Sequence, residues 1–325
     1  MTKMMSLFPC VTLVLTSLVM CSDSASILFV LPVSTRSHKN VFAPLAQALA
    51  ARGHAVTMFS SHLSKHGLDG VREFAVPGMM DRMEVGSKIL WSQMGQTGVV
   101  NNLFTLFFLG KLGSEACDKM LSMPEVQAAL RGQVRYDLVV QSVFFEESCL
   151  ALAGKSDTPF IYMSTAGNWA HLAHAMGHAE LTSAEPSILL TFTDHMTFWE
   201  RVVNTVQYHA GNAVHHLLTL PMHERVLHKH WPDAPPVRDL HANASMAFLN
   251  TAPGVDYRNT LPATFLEVGG MHCQAPKDIP KHNHLPSHCQ RIPNAITNAN
   301  ANGTRCQRIQ KGFCNATENG LSQIF

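Results

Sequence analysis

Charged residues are scarce in this chain of 325 residues, in which Asp, Glu, Lys and Arg make up 14%, whereas about 25% is usual for a soluble protein. The net charge is +1 with histidine neutral, and the basic residues form no stripe along the sequence. Nucleic-acid binding therefore finds no support, because proteins of that class carry clustered positive charge. The hydrophobic fraction of 46% is sufficient for a sizeable core.

Glycine-rich phosphate loops are also missing. Residues 32–38 (PVSTRSH) follow the first predicted strand and contain no glycine, although glycine is what allows a pyrophosphate to approach a helix N-terminus. No Walker-type loop occurs elsewhere. A nicotinamide-dependent or ATP-dependent enzyme is therefore disfavoured.

Apolar runs of membrane-spanning length are absent after the N-terminal segment, since residues 99–109 are too short and contain Asn101 and Asn102. Residues 1–25 are predicted to be a secretory signal peptide. Lys3 is the only charge before Asp23, and an apolar core is followed by small residues. The alternative is a retained signal anchor, so we expect membrane association only through this N-terminal segment.

Residues 26–61 predict a strand, a loop, an amphipathic helix and a second strand. The strand is a nearly unbroken apolar run over residues 27–33, typical of a parallel strand that is buried on both faces. Helical patterns cover residues 79–131, with distinct polar and apolar faces over residues 110–131, and also residues 146–154 and 188–231. Alternating strands and helices predict an α/β fold, a Rossmann-like, mainly parallel sheet with helices on both faces. Further strands are predicted at residues 54–59, 71–76, 136–140, 159–163, 246–250 and 265–268.

The texture of the chain changes near residue 281, where large apolar residues become rare and an Asn/Ala-rich run begins. Residues 281–325 are therefore interpreted as a divergent, disordered tail. The predicted organisation is a signal peptide over residues 1–25, one domain over residues 26–280, and this tail.

Cysteines and glycosylation motifs bear on the compartment. Cys117 and Cys149 lie in helix-like contexts and are interpreted as buried, unreactive thiols. The C-terminal cysteines could form a disulfide whose pairing the sequence does not fix. Together with a signal peptide, the sequons at Asn243, Asn302 and Asn315 predict glycosylation, and hence a protein of the endoplasmic reticulum lumen or a secreted one.

His38 is the candidate catalytic residue. It lies just after the first strand, at the edge where open parallel sheets place their chemistry, and histidine can accept a proton from a hydroxyl near neutral pH. The alternative is a surface or helix-capping histidine. Among the other histidines, His171, His174 and His178 share helical spacing, and a second group clusters in the tail (His282, His284, His288 and Cys289). Neither group has the ligand spacing of a zinc site, and we predict no dedicated metal site.

Five segments, in the same order, resemble the N-terminal half of the animal UDP-glycosyltransferase family. The resemblance implies half of a GT-B fold that binds a small lipophilic acceptor, with UDP-sugar as co-substrate held by the other half and with neither metal nor bound cofactor. It also implies that His38 is the general base. The segments are residues 32–57, 136–140 (YDLVV), 196–204 (MTFWERVVN), 243–250 (NASMAFLN) and 266–276 (LEVGGMHCQAP).

The family places an acid at the end of the fourth strand to orient the histidine, and Ser142 stands there in this chain. Glu146 and Glu147 are candidates for the orienting acid; the alternative is that both are helix N-terminal carboxylates. Ser37 and Phe144 are predicted to contact the acceptor.

The sequence thus predicts transfer of a hexosyl group from a UDP-sugar to an acceptor hydroxyl, in a chain truncated before the donor-binding half. We therefore do not expect this chain to turn over on its own. The alternative hypothesis is a non-catalytic luminal binding protein, or a partner of full-length glycosyltransferase subunits.

Overall fold

A computed structural model describes residues 24–94, 98–252 and 260–273. The predicted signal peptide lies outside the described residues, apart from its last two positions. The predicted tail over residues 281–325, with Asn302 and Asn315, lies outside them as well.

The core of the fold is one sheet of seven parallel strands in the order β3-β2-β1-β4-β5-β6-β7. Each predicted strand is present within two residues of its expected bounds, so the predicted parallel sheet is confirmed. The strands are β1 (Ser26–Leu31), β2 (Ala55–Ser60), β3 (Val71–Ala75), β4 (Leu138–Ser142), β5 (Phe160–Ser164), β6 (Met246–Leu249) and β7 (Phe265–Glu267).

Helices connect the strands. The helix predicted over residues 110–131 is divided, because Ser122 ends one helix and Pro124 begins the next. The helical segment predicted from residue 188 begins only at Phe198, where Thr197 and Glu200 form a capping box. The helices are α1 (Arg36–Ala51), α2 (Met79–Met94), α3 (Val99–Leu121), α4 (Pro124–Leu130), α5 (Ala151–Gly154), α6 (Ala170–Ala175), α7 (Phe198–Val214), α8 (Leu220–His230) and α9 (Val237–Ala242), with a 3-10 helix (Glu147–Leu150) and a π-helix (His215–Thr219).

Both faces of the sheet are covered, as predicted. Leu28 and Val30 of β1 belong to a core that includes side chains of α3 and α8. The alternate residues Ile27, Phe29 and Leu31 pack with α1 on the other face. Successive side chains of a strand point to opposite faces, which explains why a strand between two helical layers must be apolar throughout.

Strand β1 is the point at which the order of the sheet reverses. It pairs with β2 on one side and with β4 on the other. The connections that leave the carboxyl ends of β1 and β4 therefore turn toward opposite faces and open a crevice, the place where open α/β sheets bind ligands. His38 and Glu146 follow these two strands.

Cys117 and Cys149 form a disulfide between α3 and the 3-10 helix, with 5.4 Å between their Cα atoms. The interpretation of these residues as thiols is therefore wrong. The two elements approach closely because Gly113, one turn before Cys117, has no side chain. A Cβ atom at Gly113 would lie 1.5 Å from the carbonyl oxygen of Phe145.

Helix α3 contains the apolar run that was too short to span a membrane, and it buries Leu106, Leu109 and Leu112 in the core. Within the described ranges, no helix combines the length and apolar character required to cross a bilayer.

Candidate active site

His38 lies in the first turn of α1, directly beyond the carboxyl end of β1, where the sequence predicted it. Thr35 caps this helix, and its hydroxyl oxygen accepts a hydrogen bond of 3.4 Å from the backbone N–H of His38. The cap fixes the direction in which the helix leaves the loop. His38 is therefore held at the crevice by regular backbone structure.

The ring of His38 has two defined contacts. One ring N–H donates to the backbone carbonyl of Val33, and the ring meets the edge of Phe144 with 4.7 Å between centroids. In a neutral imidazole, a donor role for one nitrogen leaves the other as an acceptor. The arrangement therefore presents an unprotonated nitrogen that can take a proton.

Partial burial lowers the pKa of His38 below 6.5, and the hydrogen bond to Val33 opposes this effect only in part. Desolvation disfavours the charged form of a base. His38 is consequently neutral at pH 7, the state that a general base requires before it reacts.

Glu146 reaches His38 through the same residue, Val33. The backbone N–H of Val33 donates a very short hydrogen bond to Glu146, and the hydroxyl of Ser142 donates to the same carboxyl group. Burial raises the pKa of Glu146 well above 4.5, and the neighbouring Glu147 adds to the rise. Of the two candidate orienting acids, Glu146 is thus the one linked to His38, through a peptide backbone.

Glu147 belongs to a different environment. Its two carboxylate oxygens lie 3.7 Å from Nε2 of His215 and 3.0 Å from Nε2 of His223. Burial raises its pKa to about 7. Glu147 begins a 3-10 helix of four residues. Its contacts are with histidines of the π-helix and of α8.

Aromatic rings continue from His38 across the crevice. Phe144, half-buried after β4, meets the edge of Trp169 after β5, with 6.0 Å between ring centroids. The sequence prediction included Phe144 but missed Trp169; the signal was an aromatic residue shortly after a predicted strand. The three rings span the carboxyl ends of β1, β4 and β5.

The backbone of this turn is strained at Phe145, whose φ is +57° although it is not glycine. Its ring is buried and stacks on His171 with 4.4 Å between centroids. In this conformation the side chains of Phe144 and Phe145 point in different directions. Phe144 faces the crevice, and Phe145 enters the core. Strain of this kind is common at functional sites.

A cavity of about 250 Å³ opens at the carboxyl ends of β5 and β6. Its lining includes the apolar Ile188 and Phe192 beside the polar Asn168 and Glu180. The side-chain amide of Asn168 donates to Glu180 over 3.0 Å, and burial raises the pKa of Glu180 to about 7. The cavity therefore combines apolar walls with a few polar groups, as small-molecule sites do.

Four other residues that the sequence analysis named have positions that the structure also defines. Ser37 is exposed at the start of α1, with its hydroxyl 2.8 Å from that of Thr35. Asn243 is exposed just after α9. His171 is buried, whereas His174 is exposed and contacts His216. The helical spacing of the histidines in α6 therefore does not bring them together.

Comparison with known proteins decides the family. The family model for UDP-glucoronosyl and UDP-glucosyl transferase matches residues 27–289. The chain belongs to this family. Among curated relatives of this glycosyltransferase-family chain, UDP-glucosyltransferase 2 of Dactylopius coccus is 27% identical over 268 residues, 80% of this chain and 50% of the relative.

A second relative, an ecdysteroid UDP-glucosyltransferase of Spodoptera littoralis nuclear polyhedrosis virus, is 22% identical over 77% of this chain and 50% of its own length. The chain thus spans about half the length of the curated relatives that it matches. The resemblance to animal UDP-glycosyltransferases is confirmed at the level of the family.

Solved glycosyltransferases are similar at low identity. The glycotransferase of kitacinnamycin gives a TM-score of 0.43 with 15% identity, covering 82% of this chain and 56% of the other. The calicheamicin glycosyltransferase CalG4 gives 0.40 with 16% identity, covering 76% and 53%. At these scores, the fold assignment of this family member rests on its own strand order and on the family match.

Proposed function

We propose that this chain forms the acceptor-binding half of a UDP-glycosyltransferase and that His38 is the general base. The acceptor hydroxyl gives its proton to the free ring nitrogen of His38. Its oxygen then forms a bond to the anomeric carbon of the sugar, while the bond from that carbon to the β-phosphate oxygen breaks and UDP leaves. Family membership supports the reaction class.

The observation that carries the proposal is the hydrogen bond from the His38 ring to the Val33 carbonyl at the switch point of the sheet. This bond supports one tautomer and one ring orientation. A histidine that served only to cap α1 would need neither, because Thr35 already supplies the cap.

A small lipophilic acceptor is the substrate class that the surroundings favour. Phe144 contacts the His38 ring directly, and Trp169 follows it. Flat aromatic or steroid-like molecules would bury apolar area against these rings. Ser37, exposed in the same turn as His38, is proposed to face the acceptor from the side of α1.

The sugar donor is proposed to be a UDP-sugar bound by a second half, because the curated relatives are about twice as long as the matched region. The reaction as proposed uses no metal and no bound cofactor. Charge on the leaving UDP would be stabilised by that second half, across the crevice from His38.

A luminal or secreted location is also proposed. The disulfide between Cys117 and Cys149 supports it, because such bonds persist in oxidising compartments. The exposed position of Asn243 is compatible with glycosylation at that sequon. Mass spectrometry of the protein purified from secretory membranes, before and after glycosidase treatment, tests both points.

Acceptor binding to this chain tests the proposal at its first step. Calorimetric titration with a panel of phenols and steroid alcohols should show saturable binding that Phe144→Ala weakens. His66→Gln, at an exposed histidine, is the matched control and should leave binding unchanged. Equal affinities in all three proteins, or no binding of any acceptor, would contradict the assignment.

Turnover separates the enzyme from a non-catalytic binding protein, since both would bind acceptors. With UDP-glucose and the donor-binding half of a full-length relative supplied in trans, the enzyme proposal predicts glucoside formation that His38→Gln abolishes. Unchanged product formation in that variant would overturn the role of His38.

A further inference from the structure

Five buried side chains behind the candidate active site come from five separate elements. Glu147 lies in the 3-10 helix, His171 in α6, His215 in the π-helix, His223 in α8 and His241 in α9. Each is at most 5% exposed. Glutamate is almost never buried without a partner, so this convergence requires an explanation beyond packing.

Three of these residues present metal-ligating atoms to one point. The ligand atoms of Glu147, His215 and His241 all lie within 4.8 Å of one another, and Nε2 of His215 is 3.7 Å from Oε1 of Glu147. Ligands around a tetrahedral zinc ion lie about 3.4 Å apart, given bonds of roughly 2.1 Å. Small side-chain movements would close the set around an ion.

The buried ligand atoms lack other partners. Within the described part of the chain, Oε1 of Glu147 and Nε2 of His241 make no hydrogen bond. Buried polar atoms without partners are rare, and each costs about 1–3 kcal/mol. A cation bound between them would satisfy both atoms at once.

The second ring nitrogen, Nδ1, of both His215 and His241 already has a hydrogen-bond partner. Nδ1 of His241 lies 2.8 Å from the hydroxyl of Tyr162, and Nδ1 of His215 lies 3.1 Å from the hydroxyl of Thr219. Histidine ligands in metal sites characteristically use one nitrogen for the metal and the other for such a partner. Both rings are therefore oriented with Nε2 inward.

His223 supports the carboxylate from the other side. The backbone N–H of Ser148 donates to Nδ1 of His223 over 3.2 Å, so the proton of its neutral ring lies on Nε2. That nitrogen is 3.0 Å from Oε2 of Glu147. His223 is thus suited to hold Glu147 as a positioning residue, which leaves Oε1 for a metal.

A route from the surface reaches the cluster. A cavity of about 210 Å³ is lined by His171, His215 and His241, with Arg238 and Asp239 also in its wall. We propose that Glu147, His215 and His241 bind a zinc ion whose fourth coordination position faces this cavity. Two imidazoles, one carboxylate and an open position form a donor set that suits zinc.

Such an ion would join the 3-10 helix, the π-helix and α9 behind the turn that carries Phe144 and Glu146. This site is independent of the sugar-transfer proposal and departs from the sequence prediction that no metal site is present. π-Helical turns are often found at functional sites, and here the turn places His215.

Cobalt(II) titration of the full-length chain, freed of metal with a chelator, tests the proposal. Four-coordinate cobalt gives visible ligand-field bands that report the donor set. Histidines and a cysteine near the C-terminus could also bind cobalt. The titration is therefore repeated with a variant in which these ligands are replaced (His282, His284 and His288 by Gln, Cys289 by Ser). One cobalt ion per chain, bound equally well in both proteins and displaced by zinc, is the expected result.

Variants identify the ligands. Glu147→Gln and His241→Gln should lose the bands, whereas His174→Gln, at an exposed histidine in the cavity wall, should keep them. Tyr162→Phe preserves volume and should weaken binding about 10- to 100-fold by removing the partner of His241. Bands that vanish in the C-terminal variant, or an affinity unchanged by Tyr162→Phe, would overturn the site, even if both ligand variants fail to fold.

Discussion

His38 and Glu146 hydrogen-bond to opposite sides of one residue, Val33. The imidazole of His38 donates to the backbone carbonyl of Val33, and the backbone N–H of Val33 donates to the carboxyl group of Glu146. Val33 follows β1 and Glu146 follows β4, the two strands at which the order of the sheet reverses. The orientation of His38 is thus coupled to the segment after β4 through the backbone of Val33.

Glu146→Gln should be tolerated and Glu146→Ala should not. Glutamine keeps an oxygen for the Val33 N–H, whereas alanine leaves that buried donor without a partner, at a cost of about 1–3 kcal/mol. Urea unfolding at neutral pH measures the difference. Equal stability of the two variants would contradict the bridge through Val33.

The Glu146→Gln variant should also change how the free energy of unfolding depends on pH. Because the pKa of Glu146 is raised in the folded protein, its contribution to stability is present below pH 4.5 and is lost as the pH rises toward the folded pKa. As the pH rises above about 4.5, the free energy of unfolding should therefore decline less steeply in Glu146→Gln than in the wild type. A steeper decline in the variant would show that the carboxylate is stabilised in its charged form.

The imidazole of His38 should titrate with a midpoint below 6.5. Burial disfavours the imidazolium more than the Val33 hydrogen bond favours it. The measurement is an NMR titration of histidine ring protons, with His38→Gln to assign the resonance and the chain in denaturant as the reference. A midpoint above that of the denatured chain would mean that a charge partner dominates.

Gly113→Ala should destabilise the protein and disturb the turn at Phe145. An added Cβ would lie 1.5 Å from the Phe145 carbonyl oxygen, which forces a backbone shift costing about 1–3 kcal/mol. Gly86→Ala is the matched control, since its nearest neighbour would be 3.6 Å away. Thermal unfolding of both variants compares them; a neutral Gly113→Ala would show that α3 and the turn are less closely packed.

The disulfide should contribute to stability by closing a segment of 32 residues. Loops of this size give about 3–4 kcal/mol in the chain-entropy account. Replacing Cys117 and Cys149 together by alanine should lower the urea midpoint under oxidising conditions, whereas Cys273→Ser should not. If a reducing agent shifted the wild type and the double variant equally, the bond would not form in solution.

The sheet was predictable because strands buried on both faces must be apolar in every position. Strands β1 and β6 are apolar almost throughout, whereas the edge strand β3 includes Arg72 and Glu73. Strand β1 leads directly to the capped helix that holds His38. Local pattern therefore gave both the architecture and the most important candidate residue. These features depend on residues near one another in sequence.

The acid, the disulfide and the histidine cluster depend on distant contacts. Glu146 and Glu147 are adjacent, yet the left-handed backbone at Phe145 precedes a turn that gives them different partners. Cys117 meets Cys149 because Gly113 allows a close approach of α3. His215 and His241 meet Glu147 through the packing of separate helices, which spacing along the chain does not reveal.

The claim that His38 is the general base is tested most directly by comparing how much His38→Gln lowers kcat/KM for acceptors of different acidity. An acidic phenol such as 4-nitrophenol ionises without help, whereas a steroid alcohol needs a base as its oxygen attacks. With the donor half of a relative supplied, kcat/KM for the alcohol should fall by about 10²–10⁴-fold in His38→Gln, and for 4-nitrophenol far less. An equal loss for both acceptors would contradict His38 as the general base and assign it to binding instead.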